Sequence, residues 1–135
     1  MTTVTPFLMF EGRAEEAMTR YVAVIPNSEV VRLDRHGADG PGAEGTVAHG
    51  EALLAGQRVR FFDSPAQHAF TFTPALSLFV SVETEGELDR IVDALAAGGS
   101  FLMPTGDYGF SPRFAWLNDE FGVSWQVNVE GQVLP

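Results

Sequence analysis

The sequence predicts an α+β fold built from two consecutive βαβββ modules, approximately residues 1–66 and 67–135. Three observations carry this expectation. The same order of patterns, a strand, an amphipathic helix and three further strands, occurs twice along the chain. An offset of 72 residues lays Thr5, Leu8, Phe10 and Glu11 on Ser77, Val80, Val82 and Glu83, while the two helix stripes align at 74. Each half has one helix for four strands, so one face of each sheet is covered by a helix. The other face is covered by the sister half or left as a concave cleft.

Residues 4–10, VTPFLMF, read as the first strand, with Pro6 near its start, where strands tolerate proline. In GRAEEAMTRYVAVI, residues Ala14, Ala17, Met18, Tyr21, Val22 and Ile25 recur at the spacing of one helix face. Arg13, Glu15, Glu16 and Arg20 take the other face, and Pro26 and Asn27 end the helix. SEVVRLDRH (28–36) reads as a strand and the glycine-rich HGADGPGAEG as a flexible loop, with His36 exposed beside it. TVAHGEALLA (46–55) and QRVRFFD (57–63) form a hairpin around a turn at 56–57. SPAQHAFTFTP then crosses to the second half.

ALSLFVSV (75–82) is a clear strand. Thr84 and Glu87 have the spacing of a capping box, in which each side chain satisfies an orphan amide of the first helical turn. Leu88, Ile91, Val92, Leu95 and Ala96 form the buried stripe, and Gly98 and Gly99 supply a left-handed stop. SFLMP, a polar loop TGDYGFSP, RFAWLND, a turn at 119–122 and VSWQVNV complete the module. On the last strand Val123, Trp125 and Val127 fall on one face, and Ser124, Gln126 and Asn128 on the other. Gln126 is therefore expected on a cleft wall or a half-solvated surface, with Trp125 packed under the helix.

Composition bounds the function. A length of 135 residues suits one compact domain with a real core. The net charge of −10 argues against nucleic acid and anionic membranes as partners, while leaving room for a local basic pocket built from Arg58, Arg60 or Arg113. The absence of cysteine excludes disulfides, thiolate catalysis and cysteine-ligated metal centres. No apolar run is long enough to span a bilayer and no signal-peptide pattern opens the chain, so a soluble cytoplasmic protein is expected.

Four stretches carry a resemblance: TPFLMFEGRAEEAMTRY, GPGAEGTVAHGEALLAGQ, HAFTFTPALSLFV and MPTGDYGFSPRFAWLNDEFGVSWQ. They resemble the PhnB-like branch, labelled 3-demethylubiquinone-9 3-methyltransferase, of the vicinal oxygen chelate superfamily. That superfamily includes glyoxalase I, bleomycin-resistance proteins and extradiol dioxygenases. The resemblance runs nearly end to end and implies a glyoxalase-like half-barrel cleft, a small-molecule ligand and a homodimer.

Metal-dependent members of the superfamily hold a divalent cation with side chains from the first and last strands of each half. The resemblance places those positions at Thr5, Ser77, Phe61 or Phe62, and Gln126. Three of them carry no ordinary ligand and the fourth is a neutral amide, so no metal and no other cofactor is expected. Methyl transfer from an adenosyl donor usually uses a glycine-rich loop between a strand and a helix. The only such run here lies between two strands, against the labelled reaction.

The expected ligand-binding residues are His49, Glu51, Ser77, Tyr108, Arg113, Trp116 and Gln126. His49 and Glu51 share one face of a strand; Tyr108, Arg113 and Trp116 lie in or beside a loop that resembles a flap. Arg113 suits a carboxylate or phosphate, or a bridge to Asp107 or Asp119. An alternative divalent-metal site joins His49 and Glu51 to Asp63, His68 or Asp107, without a second closely spaced ligand pair in its support. Three functions compete: a small-molecule binding protein, an enzyme that is metal-assisted or uses a Glu51/His49 acid–base pair, and a protein whose dimer surface is its purpose. Thr5, Ser77, Phe61 and Phe62 favour the first.

Overall fold

The computed structural model describes residues 1–130, so residues 131–135 of the expected second module lie outside the described residues. The elements are β1 (Phe7–Phe10), α1 (Ala14–Val24), β2 (Glu29–Arg35), β3 (Val47–Leu54), β4 (Gln57–Asp63), β5 (Ser77–Val82), α2 (Glu85–Ala96), β6 (Ser100–Gly106), β7 (Phe114–Asn118) and β8 (Ser124–Val129). Contacts divide the chain into two units, the first Met1–Ala69 and the second from Phe70 onward. Among the described residues no helix is long and apolar enough to cross a membrane.

In the first unit the strand order is β1-β4-β3-β2, with β1 parallel to β4 and the other pairs antiparallel. The second unit repeats this as β5-β8-β7-β6, with β5 parallel to β8. Each helix covers one face of its own sheet. The buried residues of α1 are Ala14, Ala17, Met18 and Tyr21, and those of α2 are Leu88, Ile91, Val92 and Leu95. Every member of the second set stands 74 positions after its counterpart, so the repeat visible in the sequence is a repeat of buried positions. A small residue in one helix corresponds to a larger one in the other at the repeat positions Ala14/Leu88 and Ala17/Ile91, and the two cores are packed differently on one plan.

The two helices begin by different chemistry. Thr84 caps α2 locally, its Oγ1 accepting from the Glu87 amide at 3.1 Å. Arg13 at the start of α1 makes no such cap. Asp63, at the far end of β4, does that work instead: Oδ1 accepts from the amides of Gly12 (2.7 Å) and Ala14 (3.0 Å), and Oδ2 from Val47 (2.9 Å). One buried carboxylate thus ties the entrance of α1 to the ends of β3 and β4.

Three local expectations are corrected. The β3–β4 turn lies at Ala55 and Gly56, both with positive φ (49° and 87°), one residue before the expected 56–57. Two consecutive left-handed residues match the twist of a two-residue hairpin, which sets the register at Leu54↔Gln57. His36 is buried rather than exposed: its backbone bonds Thr46 and Gly45 across the loop base, and Gly42 lies against the imidazole, where a Cβ would come within 2.5 Å of the ring. Finally, β6 continues past SFLMP to Gly106.

Candidate functional site

The face of each sheet opposite its helix carries the polar side chains. In the second unit, register places Ser77 beside Ser124, Phe79 beside Gln126, and Trp116 on the other side of Gln126. Parallel pairing of β5 with β8 and antiparallel pairing of β8 with β7 bring side chains of three strands onto this one face. The groups then bond to each other. Trp116 Nε1–H donates to Ser124 Oγ at 2.9 Å, Gln126 Nε2–H donates to Ser77 Oγ at 3.1 Å, and the two serine hydroxyls are 2.7 Å apart.

A donor count shows what this network leaves over. The two serine oxygens each accept one N–H, and one hydroxyl hydrogen is spent on the Ser77–Ser124 bond. The other hydroxyl hydrogen, the second Gln126 N–H and the Gln126 Oε1 acceptor have no partner among the described residues. The face therefore offers two donors and one acceptor side by side, next to the exposed ring of Phe79. Trp125, on the opposite face, is 2% exposed and donates its Nε1–H to Asp119 Oδ2 at 2.9 Å. The two tryptophans thus belong to different environments, one at the polar cluster and one in the core.

The remaining expected residues are dispersed. Tyr108 stacks with Phe110 (6.3 Å between centroids) and meets Phe114 edge-on (6.1 Å), while its hydroxyl donates to the Pro104 carbonyl. The loop is thereby packed onto the start of β7. Phe114 pairs with Asn128, two residues from Gln126, so Tyr108 stands at the border of the polar cluster. Arg113 points to the helix side, where Nε and Nη2 donate to Asp89 at 2.8 and 3.3 Å and Nη1 lies 3.8 Å from Glu85. The Asp89 hydrogen bond, with the nearby acidic charges, holds this guanidinium above its ordinary pKa range. Its partner is neither Asp107, which accepts from the Gly109 amide, nor Asp119, which accepts from the amides of Phe121 and Val123.

His49 and Glu51 lie on the open face of the first sheet. His49 is exposed, across from Asp34. Glu51 stands between Arg32 on β2 and Arg60 on β4, and accepts from Arg58 Nη1 at 2.6 Å. Ser124 was not singled out from the sequence, although it is the hub of the cluster. Its alternation with Gln126 placed it on the right face, but a strand pattern does not tell which cross-strand neighbour a short hydroxyl will meet.

The residues at the metal positions implied by the resemblance do not fit a divalent cation. Ser77 Oγ and Gln126 Nε2 are bonded to each other, Phe61 is fully buried, and Phe62 stacks on Phe7 at 4.9 Å. Neither Thr5 nor these groups supplies a carboxylate or an imidazole. Of the residues considered as substitutes, Asp63 is spent on three backbone amides and His68 Nε2 bonds Ser64 Oγ at 2.9 Å. Among the described residues no group of three or more His, Asp or Glu side chains converges as a cation site.

Comparison with known proteins agrees with this architecture. The pattern that defines the family described as 3-demethylubiquinone-9 3-methyltransferase matches residues 2–128. A solved structure from Bacillus cereus, described as a 3-demethylubiquinone-9 3-methyltransferase, PhnB protein, is 51% identical, with a TM-score of 0.92 over 95% of this chain and 99% of that one. A Pseudomonas aeruginosa protein is 25% identical, with a TM-score of 0.82 over 96% and 98% of the two chains. A glyoxylase/bleomycin resistance protein/dioxygenase domain from Frankia sp. shares the fold at 16% identity, with a TM-score of 0.66 over 99% and 96%. No curated protein sequence matches the chain. The tandem βαβββ architecture and the end-to-end match together place this chain in the 3-demethylubiquinone-9 3-methyltransferase family, PhnB-like, with the fold of glyoxylase/bleomycin resistance/dioxygenase domains.

Proposed function

We propose that the protein binds a small molecule on the open face of its second sheet, holding it by hydrogen bonds rather than through a metal. The observation that carries this reading is the Trp116–Ser124–Ser77–Gln126 network, which leaves a hydroxyl hydrogen, an amide N–H and an amide oxygen without partners among the described residues, beside Phe79. A few fixed polar groups beside an apolar surface are what orient a small ligand. The network also preorganises its own donors, because each side chain is fixed by its neighbour before a ligand arrives. Tyr108 is proposed to border the ligand, and Arg113 to act from behind by fixing the start of β7 on Asp89. Acid–base chemistry at Glu51 is the weaker reading, since Arg58 already occupies its carboxylate.

The two tryptophans supply the test. In a nitrogen-15-labelled sample the Trp116 indole N–H reports on the cluster and the Trp125 indole N–H serves as an internal control. Addition of benzamide, which offers one acceptor, N–H donors and a ring, is expected to shift the Trp116 resonance and leave that of Trp125 in place. Gln126→Ala is expected to weaken this response. A Trp116 resonance unmoved by benzamide, or a response indifferent to Gln126→Ala, overturns the proposal.

A further inference from the structure

The open face of the first sheet has a different chemistry. Register places Phe7, Arg60, Glu51 and Arg32 in one row across β1, β4, β3 and β2. Arg58 lies two residues from Arg60 on the same face, and Asp34 lies two residues from Arg32. Three guanidiniums thus stand among three carboxylates, Glu51, Asp34 and Glu29 (in register with Arg58 through Leu53), and this small area is close to neutral on a chain whose formal net charge is −10.

The three arginines are not equivalent. Arg32 Nε donates to Asp34 at 2.6 Å, and Arg58 Nη1 donates to Glu51 at 2.6 Å. Arg60 makes no side-chain hydrogen bond among the described residues; its Nε stands 4.0 Å from Glu51 Oε1. Its guanidinium carbon lies 5.6 Å from the centre of the Phe7 ring, which is itself stacked on Phe62. Such a contact holds a guanidinium in place without consuming its N–H donors. Arg60 is therefore oriented, half-exposed and still carries its full fork of donors.

We infer that the open face of the first sheet binds the oxyanion of a small organic acid, with Arg60 as its anchor. This goes beyond the preceding reading, which places a small molecule on the open face of the second sheet. A planar fork of N–H groups matches a carboxylate or a phosphate-type group in two-point contact. Glu51 has two effects: it engages Arg58, and it repels an anion approaching Arg60. Neutralising it therefore strengthens anion binding, whereas removing Arg60 weakens it.

The full chain is titrated at low salt with benzoate, phenylphosphonate and neutral benzamide, followed by the backbone amides of β3 and β4. Both acids are expected to shift these amides, with the tighter one naming the oxyanion as carboxylate or phosphate-type, and benzamide is expected to leave them unmoved. Arg60→Ala is expected to weaken the acids by about tenfold or more, Arg60→Lys by less, and Glu51→Gln to tighten them. Failure of both acids to bind, equal binding of benzamide to these strands, or indifference to Arg60→Ala overturns the inference. If benzamide still shifts the Trp116 indole in a Gln126-dependent way, the oxyanion site alone has failed; if that response is missing too, the wider reading fails with it.

Discussion

At the scale of single residues, two buried aspartates do the same work in the two units. Asp63 accepts three backbone amides and Asp119 accepts two amides and the Trp125 indole. Each carboxylate replaces water for donors that have no other partner once buried. Asp63→Ala leaves the buried amides of Ala14 and Val47 without an acceptor, and equilibrium urea unfolding is expected to show a loss of about 2 kcal/mol or more, since each unsatisfied buried donor costs about 1–3 kcal/mol. Gln126→Ala is the contrast. Its side chain lies half-buried on the open face, so stability is expected to change by less than about 1 kcal/mol. A loss of about 2–5 kcal/mol, as for a core truncation, would mean that Gln126 and not Trp125 faces the core. The face of Gln126 was legible from alternation alone. The role of Asp63 was not, because two of its partners are 51 and 49 residues away and a carboxylate ending a strand has no local signature.

At the scale of elements, what the sequence shows is what neighbours along the chain determine. Both helix stripes and the Thr84 cap are local, and the structure has them where the pattern placed them, with Val22 and Ala96 at the stripe edges only half-buried and the Thr84 half of the capping box formed. The β3–β4 turn moved by one residue because Ala55, a residue with no turn signature, takes a left-handed conformation beside Gly56. Gly50 has the same non-local character. It pairs with Phe61, and a Cβ there would lie 2.3 Å from the ring, so the aromatic side chain folds over a glycine whose need appears only once two strands are paired. One link between elements carries a pH prediction. Glu15 on α1 pairs with Arg35 at the end of β2, and the Arg35 hydrogen bond holds the Glu15 carboxyl below its ordinary pKa. A group with a depressed folded pKa stabilises the fold above its unfolded value, about 4.3 for glutamate, and that stability is lost as pH falls through the lower folded value. Urea midpoints measured downward from about pH 5 are expected to fall less steeply in Glu15→Gln than in the parent. The difference is expected to shrink with added salt, because both side chains are half exposed.

At the scale of the whole molecule, the fold was legible because duplication doubles the signal. A strand or helix seen faintly once is seen again 72 or 74 residues later, and the end-to-end family match follows the same plan. The site was only partly legible. Ser77, Trp116 and Gln126 come together on one sheet, whereas Arg113 turns to α2, and His49 and Glu51 stand among arginines on the other sheet. The common plan fixes positions, but the side chains at those positions decide the chemistry. That distinction bears most directly on metal. At the metal positions implied by the resemblance this chain has hydroxyls, a phenyl ring and an amide, and a divalent ion bound by one amide oxygen would keep most of its water and dissociate readily. Protein purified without chelator or affinity tag is therefore expected to carry well under one equivalent of divalent metal by elemental mass spectrometry, and EDTA is expected to leave its melting temperature unchanged. Stoichiometric zinc, manganese, nickel or iron, with a melting temperature that drops on chelation, would reverse the argument. It would make His49 and Glu51 the first ligands to mutate and metal-assisted catalysis the leading function, because loss of a bound ion destabilises only the folded state that holds it.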